Sequence, residues 1–199
     1  NEAKPMNITS MHTLVFDAYV ENVAGIKDVR FENCATISLK NDGSLGARVG
    51  GIVTLPKTNV TFENVKVEAY LTGKANIAGF VGTSDAELES LTFKNCAFEG
   101  SVVSTAYAAG FAGNVHTSNV TFENCTVGSK NVQTDIAGNG RVAAFVAKTL
   151  AKDNTSNNTL TFKNCANYAD VTGVGSAESA VGSLVGRINR TNLVVDGCT

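Results

Sequence analysis

Five cysteines, two histidines and 18 acidic residues are the side chains through which this 199-residue chain could ligate a metal, attack a carbonyl or move a proton. Their spacing supports none of these roles. Cys34, Cys96, Cys125, Cys165 and Cys198 include no CxxC pair, so the ligand spacing of a zinc site is missing. His12 and His116 have no third ligand at metal-site spacing. Acid–base catalysis and Ca²⁺ binding need carboxylates gathered in one place, whereas Asp17, Glu21, Asp28, Glu68, Asp135, Asp153, Asp170 and Glu178 are dispersed. The densest group, SDAELES at 84–90, reads as one solvated loop without a basic partner. GNGRVA at 138–143 opens like a dinucleotide fingerprint, but it leads into a strand rather than a helix and is therefore a turn. No GxSxG, phosphate-binding loop or HExxH occurs. These residues predict no catalytic, metal or cofactor site.

The cysteines make sense once the elements that carry them are identified. The phrase DVRFENC (28–34) returns as NVTFENV (59–65), SLTFKNC (90–96), NVTFENC (119–125) and TLTFKNC (159–165), with NLVVDGC (192–198) as a degraded sixth copy. Its aromatic falls at Phe31, Phe62, Phe93, Phe122 and Phe162, at intervals of 31, 31, 29 and 40 residues, which marks a repeat architecture. A second phrase alternates with the first: VGGIVT (49–54), IAGFVG (77–82), AAGFAG (108–113), AAFVAK (143–148) and VGSLVG (181–186). Within the first phrase Val120 and Phe122 alternate with Thr121 and Glu123, the period of a half-buried strand. No long stretch holds a helical period, and the framework of leucine-rich repeats is absent. The expected fold is an all-β parallel β-helix (β-solenoid) of about five to six coils of roughly 30 residues, equivalent strands stacking ~4.8 Å apart. One domain over 1–199 is expected, with 1–27 as an irregular or partial coil and 28–199 as repeats.

In such a stack, equivalent residues form columns along the axis. The Phe column is predicted to lie inside. Asn33, Asn64, Asn95, Asn124 and Asn164, with Gly197 in the last coil, are predicted to turn the corner that ends the strand. Asn and Gly both tolerate positive φ, and stacked Asn amides can bond one another. Val65 replaces Cys in the second coil, so the Cys column reads as small buried hydrophobes, with Cys96–Cys125 and Cys165–Cys198 disulfides as the alternative. Outward columns read Arg30, Thr61, Thr92, Thr121, Thr161, Val194 and Glu32, Glu63, Lys94, Glu123, Lys163, Asp196, a solvated face with weak cross-coil pairing. The longest interval holds two expected loops, 129–141 and 151–159, the first places to look for ligand contacts. Candidate glycosylation positions are Asn7, Asn59, Asn119, Asn154, Asn157 and Asn189, while Asn124 is expected to be hidden in its ladder.

Bulk composition narrows the partners. A net charge of −2 offers no basic surface for nucleic acid, and no apolar run approaches the ~20 residues of a membrane span. The start NEAKPMNITS shows no signal-peptide pattern, and VVDGCT stops within a coil, so a piece of a longer protein is expected.

The pairing of the two phrases, in FKNCAFEGSVVSTAYAAGFAG (93–113) and FKNCANYADVTGVGSAESAVGSLVG (162–186), resembles the GLUG-type repeats of bacterial and protist surface proteins. The likeness spans roughly 28–198 and departs from the pattern in AAFVAK, where Ala replaces both glycines. It implies a right-handed parallel β-helix that is secreted or at the cell surface, adhesin-like or stalk-like, and no particular ligand. The expected function is a non-enzymatic extracellular module that binds glycan or protein partners through loops. The alternatives are a structural subunit stacking end to end in a filament or scaffold, and a polysaccharide lyase or hydrolase. Further repeats or other chains are the expected partners at the uncapped ends.

Overall fold

The computed structural model describes residues 28–40, 48–151, 153, 157–174 and 179–199. The expected irregular segment 1–27 lies outside them. The described residues form no helix; they wind as a parallel β-solenoid of about five coils. Each copy of the first phrase is a strand. Asp28–Glu32, Asn59–Glu63, Ser90–Lys94, Asn119–Glu123, Asn158–Lys163 and Thr191–Asp196 lie side by side in that order, in parallel. Register is strict: Phe31 pairs with Phe62, Phe62 with Phe93, Phe93 with Phe122 and Phe122 with Phe162.

Five Asn residues end these strands, and all five adopt positive φ, between 50° and 54° at Asn33, Asn64, Asn95, Asn124 and Asn164; Gly197 does so at 62°. That conformation costs L-residues about 1–2 kcal/mol, least for Asn and Gly. The amide ladder offsets it. Asn64 Nδ2 donates to Asn33 Oδ1, Asn95 to Asn64 and Asn124 to Asn95, each at 3.0 Å, and Asn164 to Asn124 at 3.3 Å. The ladder runs along the surface. Asn124 is exposed, not hidden as the sequence suggested; what occupies it is hydrogen bonding at both ends of its amide.

Past the corner the chain enters a second parallel sheet, built on Lys66–Gly73 and Ala97–Ser104. In later coils this strand is split, as Thr126–Val127 with Asp135–Gly138 and as Ala166–Asn167 with Asp170–Gly173. The expected 129–141 loop is thus partly strand, because Asp135–Gly138 continues the sheet against Ser101–Ser104. The excursion is shorter: Val127 to Asp135 takes eight residue steps where Phe98 to Ser101 takes three. The expected 151–159 loop lies partly outside the described residues, and Asn158 within it already begins a strand.

The second phrase folds into an arc. Its first arm comprises Arg48–Gly50, Asn76–Ala78, Tyr107–Ala109, Arg141–Ala143 and Ala180–Gly182, and its second arm Val81–Thr83, Ala112–Val115, Val146–Thr149 and Val185–Arg187. Small residues let the arms close on each other, and Ala78, Ala109 and Ala147 form a separate buried cluster there. A Cβ at Gly79 would run into the Phe98 ring and the Gly110 carbonyl, so the arc passes that close only with glycine.

Phe80, Phe111 and Phe145 project from the arcs into the main core, where they form a second fully buried aromatic column. Within each column the rings stack at 4.6–5.1 Å between centroids. Between columns they meet edge to face at 5.3–5.6 Å. Such pairs add roughly 0.5–1.5 kcal/mol each beyond simple burial, so the core is a continuous aromatic zipper.

Candidate functional site

The open end of the arc, where its two arms diverge, gathers polar and cationic side chains. Parallel pairing aligns Arg48, Asn76, Tyr107, Arg141 and Ala180 along the first arm. It aligns Thr83, Asn114, Lys148 and Arg187 along the second. Neither column contains a carboxylate. Across the mouth Asn76 Nδ2 donates to Thr83 Oγ1 at 2.9 Å. One coil on, the Tyr107 ring packs against the alanine cluster and holds two cations over it, the Arg141 guanidinium and the Lys148 ammonium, each 5.5 Å from the centroid. Cation–π attraction of this kind is worth about 0.5–1 kcal/mol at exposed sites.

Towards the N-terminal coils the mouth opens into a cleft of about 250 Å³ lined by Arg48, Leu55, Thr83, Ser84, Asp85, Ala86 and His116. Its floor is ordered by Ser84, 1% exposed, whose Oγ accepts from the His116 and Thr117 backbone N–H groups and from Thr117 Oγ1 at 2.6 Å. Asn114 bonds the His116 ring at 3.1 Å through Nδ2, leaving its buried Oδ1 without a partner among the described residues. Burial lowers the His116 pKa below its ordinary value; Lys148 and Arg48 reinforce that, and Asp85 opposes it. His116 is therefore a neutral imidazole at pH 7.

The second sheet carries another polar group: Gln133 Nε2 donates to Asp135 Oδ1 and to Asp170 Oδ2, both at 2.9 Å, tying two stacked carboxylates together. An apolar groove of about 250 Å³ lies nearby, with Val103, Ser104, Gly138 and Val174 among its lining residues.

The cysteines form a column of free thiols beside the Asn ladder, without disulfides among them. Cys96, Cys125 and Cys165 are buried, and Cys34 and Cys198 half-buried. Their Sγ atoms donate to strand carbonyls, Cys96 to Lys94 at 3.2 Å, Cys125 to Glu123 at 3.3 Å and Cys165 to Lys163 at 3.4 Å. Hydrogen bonding from Cys125 holds the Cys165 thiol down to about 7 and pushes Cys125 itself far up.

Other sequence-derived positions fall at scattered places. In SDAELES, Asp85 Oδ1 accepts the Glu87 N–H at 3.1 Å and Leu88 is buried, so the acidic loop is a closed turn anchored by a leucine. In the charged column, Lys163 reaches Glu123 at 3.7 Å, and Arg30 binds Glu32 and Glu63 at 2.7 and 2.9 Å. Asn59 and Asn119 occupy equivalent strand starts. Asn59 Oδ1 caps the Glu89 and Ser90 N–H groups, whereas exposed Asn119 donates Nδ2 to the Glu89 carbonyl at 3.2 Å. Asn157 is exposed and Asn189 half-buried, while Asn7, Asn154 and His12 lie outside the described residues. Among the described residues no His, Cys, Asp and Glu group is placed to hold a metal ion, and no helix is long and apolar enough to cross a membrane.

The arc mouth was not singled out from the sequence, although a signal exists. Three of the five second phrases are flanked by polar residues seven apart: Asn76 and Thr83, Tyr107 and Asn114, Arg141 and Lys148. Comparison with protein-family models, with curated proteins and with solved structures finds no match to this chain.

Proposed function

We propose that this chain is a non-enzymatic repeat module of an extracellular adhesin or stalk, binding glycan or protein partners on its outward faces. The observation that carries the reading is the contrast between its columns. Apart from Val65, Val195 and Gly197, inward and corner positions repeat one residue type from coil to coil (Phe, Asn, Cys), whereas the arc-mouth column runs Arg48, Asn76, Tyr107, Arg141, Ala180. A scaffold that only stacks has no need for such variety. A surface that recognises a partner does, because specificity comes from a few differing polar and aromatic groups on a rigid frame. The GLUG-type pairing of the two phrases supports a cell-surface setting, and glycans on Asn119 or Asn157 fit the exposure of those residues. The test is a glycan array with the folded chain alongside turnover assays on the same glycans. Binding without turnover supports the reading; hydrolysis or elimination of any bound glycan overturns it in favour of a lyase or hydrolase.

A second reading, end-to-end stacking into a filament or scaffold, is favoured by the strand Thr191–Asp196. Leu193 and Val195 continue the buried Leu160 and Phe162 columns, yet are 44% and 48% exposed. Covering them with another coil or another chain would extend the same core. Light scattering discriminates: rods that grow with concentration favour stacking, and a stable monomer argues against it.

A further inference from the structure

We infer that the C-terminal half of the arc mouth, around Tyr107, Arg141, Lys148 and Arg187, binds a linear carboxylate-bearing polysaccharide lying along the solenoid axis. The inference rests on the reading of the chain as a glycan-binding module and names the class of glycan. Three cations fall within adjacent coils of one surface, Lys148 paired in register with Arg187 and Arg141 beside them on the other arm. Lys148 and Arg187 form no ion pair with a carboxylate among the described residues, unlike Arg30, Lys66 and Lys163 on the other faces. Arg187 is exposed and Lys148 half-exposed. Tyr107 braces Lys148 and Arg141 over its ring, which limits their rotamer freedom and lowers the entropy cost of pairing with an anion. In a chain of net charge −2, Lys148 and Arg187 thus set two positive charges along one edge with no carboxylate paired to them among the described residues.

The geometry favours a periodic polyanion. Stacked coils repeat every ~4.8 Å, so Lys148 and Arg187 stand one coil apart along the axis, with Arg141 flanking Lys148 across the mouth, an arrangement suited to a polymer with a carboxylate on each ring. Nucleic acid fits less well. Affinity for nucleic acid grows with the number of phosphates that Lys and Arg neutralise, and this short edge supplies few cations.

The test is affinity electrophoresis through gels containing polygalacturonate, neutral dextran or duplex DNA. Polygalacturonate is expected to retard the wild-type chain, dextran is not, and Lys148→Glu with Arg187→Glu lowers the affinity about tenfold or more. Lys94→Glu with Lys130→Glu makes the same charge change at exposed positions elsewhere and is expected to leave retardation within about twofold of wild type. Should the first double variant lose its β-sheet circular dichroism, Lys148→Gln with Arg187→Gln serves in its place, with the same loss expected. Equal losses in both double variants, or equal retardation by DNA, would overturn the inference. Binding of a neutral glycan or a protein with polygalacturonate inert would overturn it too, while leaving the broader module reading intact.

Discussion

Phe93 and Phe111 meet edge to face, ring centroids 5.3 Å apart and planes at 81°, although one belongs to the first repeated phrase and the other to the second. This contact joins the flat strand to the arc in every interior coil, and the same pairing recurs at Phe62–Phe80 and Phe122–Phe145. Phe111 also stacks on Phe80 and Phe145. Replacing it with Ala removes four ring contacts and leaves a cavity with no solvent access. Phe111→Ala is expected to cost about 3–5 kcal/mol in urea denaturation. Phe31→Ala, at a half-buried ring stacked on Phe62 alone among the first-phrase rings, should cost distinctly less. Equal losses would contradict a zipper that draws its strength from the middle.

At the corner, conformation and hydrogen bonding can be separated. Asn95 has φ 50° and both donates to Asn64 and accepts from Asn124. Asn95→Gly keeps the conformation and loses the two amide bonds, about 0.5–1.5 kcal/mol each. Asn95→Ala loses the bonds and adds about 1–2 kcal/mol of left-handed strain. Urea midpoints should therefore fall in the order wild type, Gly, Ala. Gly and Ala variants of equal stability would mean that the ladder alone, and not the backbone, calls for Asn.

Thiol chemistry follows burial. Cys34 and Cys198 are half-buried, and Cys96, Cys125 and Cys165 buried. Titration of the native chain with a thiol-reactive dye should show two fast equivalents and three that react only on unfolding. The lowered pKa of Cys165 does not change this order, because its sulfur is shielded. Fewer than five thiols in the unfolded, unreduced chain would show that disulfides form after all.

His116 gives stability a pH dependence. Its folded-state pKa lies below the ordinary 6.5, so the unfolded chain takes up a proton first as pH falls. The stabilising contribution is full above 6.5 and is lost as pH drops towards the folded value. Melting temperatures of wild type and His116→Gln should therefore converge as pH is lowered from 7.5 through 6.5. A gap that widens on acidification would mean that the folded chain favours the imidazolium.

Much of the scaffold is legible in the sequence because its signal is repetition. Phe62, Asn64 and Cys96 each recur at a fixed place, and a parallel stack is the arrangement in which recurrence becomes contact. The second aromatic column is harder to read. Phe80, Phe111 and Phe145 sit among Gly and Ala in short phrases whose alternation is broken by the arc, so only the three-dimensional turn shows that they face the first column. Asp135–Gly138 looks like loop because a single large apolar side chain, Ile136, marks it as strand. The arc mouth is legible only afterwards: pairs such as Arg141 and Lys148 become neighbours across a turn that a one-dimensional period does not report.

The central claim is that equivalent residues stack in register, one coil per step. Spin labels at Thr61→Cys and Val194→Cys, with Cys34 and Cys198 replaced by Ser, test it by electron–electron distance measurement. The two positions lie four steps apart in one column. At ~4.8 Å per step their backbones should be about 19 Å apart, giving one narrow distance distribution near that value once label length is included. A broad distribution, or a distance on the order of twice that separation, would contradict the stack.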